Sequence, residues 1–201
     1  MSKGIRCLGL AWLFALVLLL GAAPSRAEAP VERFGVPGPL HLDGQAFHFA
    51  WSSHPYPHFY KQEYLPEGQA LASYGQMLMI DVLLGEAGPR ELAQAKVAEL
   101  EARKAADPVV NYDLIEKADG SSYVLDFVVS GRTPGGEPIV EWNAYRYEVL
   151  PGAAVMLGIS RRGYGHEGAR SFLVDEMKPR RQAWISELAR LDMPAIALPA
   201  P

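Results

Sequence analysis

Residues 139–162 read IVEWNAYRYEVLPGAAVMLGISRR, and this stretch decides the fold. Two apolar-rich runs, Ile139 to Leu150 and Ala153 to Arg162, flank Pro151-Gly152. The first run is rich in β-branched and aromatic residues, the second is mostly apolar, and a Pro-Gly pair between such runs marks a hairpin. Strands joined by so short a turn must be antiparallel neighbours. Alternation then sorts the first run into two faces: 141, 143, 145 and 147 on one, Trp142, Ala144, Arg146 and Glu148 on the other.

Outward from this hairpin the same signals recur. Val109 to Glu116 and Ser122 to Ser130 flank Lys117-Ala118-Asp119-Gly120, and Tyr123, Leu125, Phe127 and Val129 share one face. Phe47, Phe49 and Trp51 alternate with His48, Ala50 and Ser52. His54-Pro55-Tyr56-Pro57-His58 reads as a rigid extended connector, Phe59 to Leu65 as a strand, Gln69 to Gln76 as a short helix, and Met77 to Leu84 as a strand. Gly88-Pro89 opens a helix running to Ala106, filled with good helix formers and stopped by Asp107-Pro108. Gly163 to Gly168 reads as a loop. Ser171 caps a last helix to about Leu191, with Phe172, Met177, Trp184, Leu188 and Leu191 facing a sheet and a kink or restart at Pro179. The expectation is an α+β fold: a mainly antiparallel sheet of about seven strands, covered by a mid-chain helix and a C-terminal helix.

The N-terminus predicts the compartment. Lys3 and Arg6 precede an apolar run from Leu8 to Leu20, and Ser25-Arg26-Ala27 offers small residues before a cleavage point at Glu28. That is the layout of a secretory signal peptide over residues 1–27, with an apolar core too short to span well. Residues 28–201 then form a single domain with an extended Pro-rich lead-in and a Pro-rich tail, located in the periplasm or secreted. Loss of Lys3, Arg6 and Arg26 makes the remaining chain more acidic than the whole protein's net charge of −4. Such a balance excludes the basic footprint of a nucleic-acid binder. The only cysteine, Cys7, lies in the leader, so disulfides, thiol nucleophiles and thiolate metal sites are excluded after cleavage. No membrane span and no cofactor are expected in the mature chain.

Several strings carry a resemblance. Residues 60–68 (YKQEYLPEG), 103–112 (RKAADPVVNY), Leu125-Asp126-Phe127, 141–147 (EWNAYRY) and 160–165 (SRRGYG) resemble a family of bacterial secreted proteins without assigned function. The likeness covers roughly Phe59 to Pro194 and implies no activity and no catalytic residue. The order of elements is also similar to the Mog1/PsbP-like fold, which implies a binding or assembly role rather than catalysis.

Two constellations have chemistry of their own. His48, His54 and His58, with His41 as a fourth, suggest an imidazole metal site. Against it, four extended residues span roughly 13 Å, too far for one ion. Lys61, Glu63, Asp126, Glu141, Trp142 and Arg146 place charges inside apolar strands, where they demand partners. They fit either a structural ion-pair network on a solvated sheet face or a pocket in which Lys61 or Arg146 holds an anion oriented by Asp126, Glu141 or Glu63. The functional expectation is a non-enzymatic binding or accessory module for a small molecule or an envelope protein, contacted by residues 58–64 and 139–148. The alternative is an enzyme using Glu63, Asp126 or Glu141 as acid or base and Arg146 as an anion clamp. The 160–167 loop has neither Walker nor dinucleotide spacing, and no Gly-x-Ser-x-Gly elbow occurs.

Overall fold

The computed structural model of the chain describes residues 30–198. The expected leader, residues 1–27, and its cleavage point lie outside the described residues. Eight strands form one sheet: β1 (Leu40–Leu42), β2 (Gln45–Tyr56), β3 (Phe59–Pro66), β4 (Gln76–Leu84), β5 (Asn111–Glu116), β6 (Tyr123–Arg132), β7 (Pro138–Leu150) and β8 (Ala153–Tyr164). Their order is β1-β2-β3-β4-β8-β7-β6-β5, and every neighbouring pair is antiparallel. The sheet is therefore two four-stranded meanders joined along the β4–β8 seam, which runs unbroken from Gln76 opposite Arg161 to Leu84 opposite Ala153.

Helix α1 (Pro89–Arg103) packs on one face of the sheet. The other face receives one continuous helical run: α2 (Gly165–Ser171), a π-helical stretch (Phe172–Met177) and α3 (Lys178–Arg190). Two clusters result. Phe47, Tyr64, Leu78, Ile80, Trp142, Leu157 and Ile159 pack with Phe172, Trp184 and Leu188 on the α3 side. Leu125, Phe127, Met79 and Met156 pack with Ala93 and Leu100 on the α1 side.

α3 also shows that the sheet curls. Arg180 pairs with Asp43 in the β1–β2 turn at 3.1 Å, and its neighbour Arg181 pairs with Asp113 in β5 at 2.6 Å. Laid flat, β1 and β5 would stand about 34 Å apart, yet a helix with its side chains is only about 10–12 Å wide. Both edges must therefore bend toward α3, which occupies the concave face.

The sheet is the expected antiparallel one, with β1 as an additional strand, and the molecule is mostly sheet rather than an even α+β mixture. Three local expectations are corrected. His54 to His58 is no connector: β2 runs through Pro55 to Tyr56, which pairs with Phe59 across a tight turn at Pro57-His58. Proline survives there because the register is already broken between Ser53 and Tyr56. Residues 69–75 form turns, not a helix, because Gln69 Oε1 accepts from the backbone N–H groups of Gly75 and Gln76 and closes the segment into a loop. The last helix starts at Gly165, not Ser171, because Gly165 adopts φ +68° and reverses the chain directly out of β8. Pro179 stands in the first turn of α3, where the chain returns to α-helix after the π-helical stretch, which is the expected restart. Its missing N–H and ring bulk fall just after the π-helical stretch, whose wider turn accommodates them.

Candidate functional site

The sheet's two faces divide the six charged and aromatic residues that the sequence singled out. Asp126, Trp142 and Arg146 lie on the α3 face. The Asp126 carboxylate accepts from Trp142 Nε1 at 3.2 Å and from both Nε and Nη2 of Arg181 at 2.6 and 2.8 Å. This two-point fork holds the Arg181 guanidinium well above its ordinary pKa. Arg146 Nη1 donates to the carbonyls of Leu188, Ala189 and Leu191, at 2.7, 3.1 and 2.7 Å. These are orphan acceptors at a helix C-terminus, where a cation is favoured. Trp142 tilts against Trp184 at 5.1 Å. All three residues are consumed in docking α3.

Lys61, Glu63 and Glu141 lie on the α1 face. One pocket therefore cannot hold all six. Glu141 pairs with Arg162, accepts from the Tyr74 hydroxyl at 3.1 Å and from Asn143 Nδ2 at 2.9 Å, and is fully engaged. Arg162 also stacks on the Tyr74 ring at 3.9 Å. Burial works against the Arg162 charge, but Glu141 outweighs it and pushes the guanidinium pKa up.

Lys61 opens onto a cavity. It pairs with Asp81, its register partner on β4, and its ammonium lies 5.2 Å from the Phe59 ring centre. The cavity, about 250 Å³, lies between the sheet and the first turns of α1. Phe59, Lys61, Asp81, Tyr145 and Tyr147 line it from the sheet, with Leu83 and Met156 as apolar wall and Leu92 and Lys96 reaching over from α1. Gly158 shapes the floor: a Cβ there would meet Met79, Met156 and the Tyr145 ring at 2.8 to 3.0 Å, so only glycine lets that ring lie against β8.

The electrostatics of this face are unusual. Asp81 is 14 % exposed, and its Oδ1 is buried with no hydrogen-bond partner. Burial pushes its carboxyl pKa up, against the pull of Lys61. Glu63, one residue pair along β3, is half-buried, and burial raises its pKa too; Asp81 and Glu141 add to the rise while Lys61 and Arg162 oppose it. Burial raises the Tyr145 hydroxyl pKa well above the usual phenol range, with Glu141 and Asp81 contributing further. Burial is the first cause of all three shifts, so the α1 face holds these groups in a setting of low polarity.

Asp81 and Lys96 were missed by sequence reasoning, whereas Tyr145 and Tyr147 fall in the expected 139–148 strand. The signal for Asp81 was present, since it is the single charge in the strand QMLMIDVLL. The histidines do not gather. His54 stacks on Tyr60 at 4.1 Å, His58 sits by Tyr56 at the hairpin turn, and His48 pairs with Leu65 well down the strand. His41 lies on β1 opposite Ala46. Among the described residues no three His, Cys, Asp or Glu side chains are grouped to hold a metal. Nor, among them, is any helix long and apolar enough to cross a membrane.

A family model matches residues 34–193, from the buried Phe34 of the lead-in to Met193 beyond α3. The chain belongs to that family. The family is uncharacterised, as the resemblance of the strings in residues 60–165 implied. No curated protein matches the chain. Among solved structures, the human StarD13 (DLC2) lipid transfer and protein localization domain aligns over 75 % of this chain and 90 % of its own length. The identity is 13 % and the TM-score 0.27, and a likeness at that score carries no argument.

Proposed function

We propose that this protein is a non-enzymatic binding module of the periplasm or extracellular fluid, whose ligand enters the Lys61–Asp81 cavity. One observation supports this above others. Residues from the two strands expected to make contact, Phe59 and Lys61 on β3 and Tyr145 and Tyr147 on β7, converge on one cavity around a half-satisfied carboxylate. Concave, mostly apolar sites with a few convergent polar groups are the usual form of small-molecule pockets. The cavity's size favours a compact molecule with an aromatic or branched apolar body. Its polar end completes the hydrogen bonding of Lys61 and Asp81. The bacterial envelope setting and the Mog1/PsbP-like likeness belong to this proposal; the leader-like residues 1–27 support the former.

The test is a set of small aromatic acids and amines, with benzoate and benzylamine at its two ends, titrated into labelled protein. The expected result is a shift of the amide signals of Lys61, Asp81 and Tyr145 that Lys61→Gln abolishes. Signals that stay unmoved by every member, or move elsewhere, overturn the assignment.

A second reading, an enzyme with Glu63 as proton carrier, is favoured by that carboxylate's half-burial and raised pKa. Its expected anion clamp, Arg146, lies on the opposite face and is bound to the end of α3.

A further inference from the structure

A second cavity lies away from the Lys61–Asp81 site. It is an open groove of about 770 Å³ between the C-terminal end of α1, the β6–β7 hairpin and the α2/π-helical run. Its floor is apolar: Ile139 from β7, and Leu173 and Val174 from the π-helical stretch. Val174 is 55 % exposed, an unusual position for a valine on a packed helix. Val174 lies in the π-helical stretch Phe172–Met177 and lines the groove.

The rim is arginine. Arg103, Arg132 and Arg170 line the groove against a single acid, Asp107. That acid is occupied. Asp107 accepts from Arg103 Nε at 3.0 Å, from the Ser130 N–H and hydroxyl at 2.8 and 2.7 Å, and from the Val109 N–H at 3.2 Å. Arg103 also donates to the Ser130 carbonyl. Arg132 donates to the Gly136 carbonyl at 2.8 Å. Arg132 and Arg170 have no acidic partner among the described residues. Two exposed guanidinium groups without an acidic partner thus stand at the rim of an apolar trough. Guanidinium forks match a carboxylate in both charge and geometry.

We infer that this groove binds a free single-chain amphiphile, its carboxylate held between Arg132 and Arg170 and its alkyl chain laid along Ile139, Leu173 and Val174. The volume lies in the range of sites that enclose such molecules. The acidic surface of the rest of the chain opposes docking to an anionic bilayer, so the occupant is the free molecule rather than a membrane.

The test measures dodecanoate binding to the purified protein by calorimetry, with dodecanol, dodecyl phosphate and phosphatidylglycerol vesicles as comparisons. Dodecanoate is expected to bind, dodecanol about tenfold or more weakly, and vesicles not at all; charge-assisted contacts of this kind are worth about that factor. Dodecyl phosphate binding no tighter than dodecanoate supports the carboxylate, and a clear preference for the phosphate overturns it. The double variant Arg132→Gln/Arg170→Gln, which removes no contact to another element's side chain, is expected to weaken dodecanoate binding about tenfold. Val174→Asp does so from the floor. Binding to both variants at wild-type strength, absence of dodecanoate binding, or attachment to vesicles without binding of the free molecule overturns the inference.

Discussion

Glu63 is a carboxylate whose burial works against its own charge. Its carboxyl pKa is raised, chiefly by burial, so the native state holds the proton more tightly than the unfolded chain does. Its contribution to stability is then fully present below the unfolded value of about 4.3 and lost as pH rises through the folded value. Glu63→Gln carries a neutral group of the same shape. We expect the variant to be more stable than the parent at pH 7 by about 1 kcal/mol, with the advantage vanishing as pH falls toward 4. Urea titrations at several pH values measure this; a variant equal to or weaker than the parent at pH 7 contradicts it. Asp107 has the opposite sign. Burial would raise its pKa, but the hydrogen bonds from Ser130, Arg103 and Val109 outweigh burial and hold it below the usual carboxylate range, so its stabilisation is lost on acidification. Residue types alone made Glu63 and Asp107 equivalent, because only the neighbours brought in by tertiary structure separate them. Lys61 was legible as a charge needing a partner. That the partner is Asp81 follows from the β3–β4 register, which alternation alone does not set.

Among the elements, β8 carries the tightest joint in the molecule. At Gly163 a Cβ would come within 2.6 Å of Phe172 Cβ, 2.8 Å of the Gly168 carbonyl and 3.0 Å of Ala169 Cα. Backbone cannot move aside as a flexible side chain can. Gly163→Ala is therefore expected to destabilise by about 3 kcal/mol. Gly158→Ala, which meets the mobile ends of Met79 and Met156 and the Tyr145 ring, should cost less, about 1 kcal/mol, and alter the Lys61–Asp81 cavity. Chemical denaturation of the pair checks the order, and a Gly158 variant weaker than the Gly163 variant refutes it. This joint explains where reading the sequence failed. Gly163 to Gly168 looks like a loop because glycines punctuate it, yet Gly163 lies within β8, which ends at Tyr164, and Gly165 turns the chain straight into α2. The hairpins were legible since alternation and turn residues are local signals. The His54–His58 segment was not, because proline tolerance at a broken register depends on the partner strand. Alternation did separate Glu141 from Trp142 and Arg146. Assigning Asp126 to the Trp142 face needed the β6–β7 register, which puts it opposite Ala144 and which alternation within one strand does not set.

At the scale of the whole molecule, two four-stranded meanders must behave as one body. The seam contributes Leu78, Ile80 and Val82 opposite Ile159, Leu157 and Val155, all fully buried. Across it run three further ties. α3 reaches Asp43 on one side and Asp113 on the other. The Gly85 N–H donates to the Gly152 carbonyl at 2.9 Å. The tail returns so that the Ala197 N–H donates to the Phe34 carbonyl at 2.8 Å, while Leu198 lies 3.8 Å from the Cβ position of Gly152. The lead-in of the first meander and the β7–β8 turn of the second thus share the last described residues. No disulfide supplements these ties, because Cys7 is the chain's only cysteine. Ending the chain at Met193 removes the partly buried Ile196 and Leu198 and should cost about 2 kcal/mol. If the meanders are a single cooperative unit, native-state hydrogen exchange will show the slowest amides of β3 and of β7 losing the same protection, because both open only with the whole sheet. A loss confined to residues 34–66, with β7 and β8 untouched, would show instead that the seam is a boundary between two independently unfolding halves.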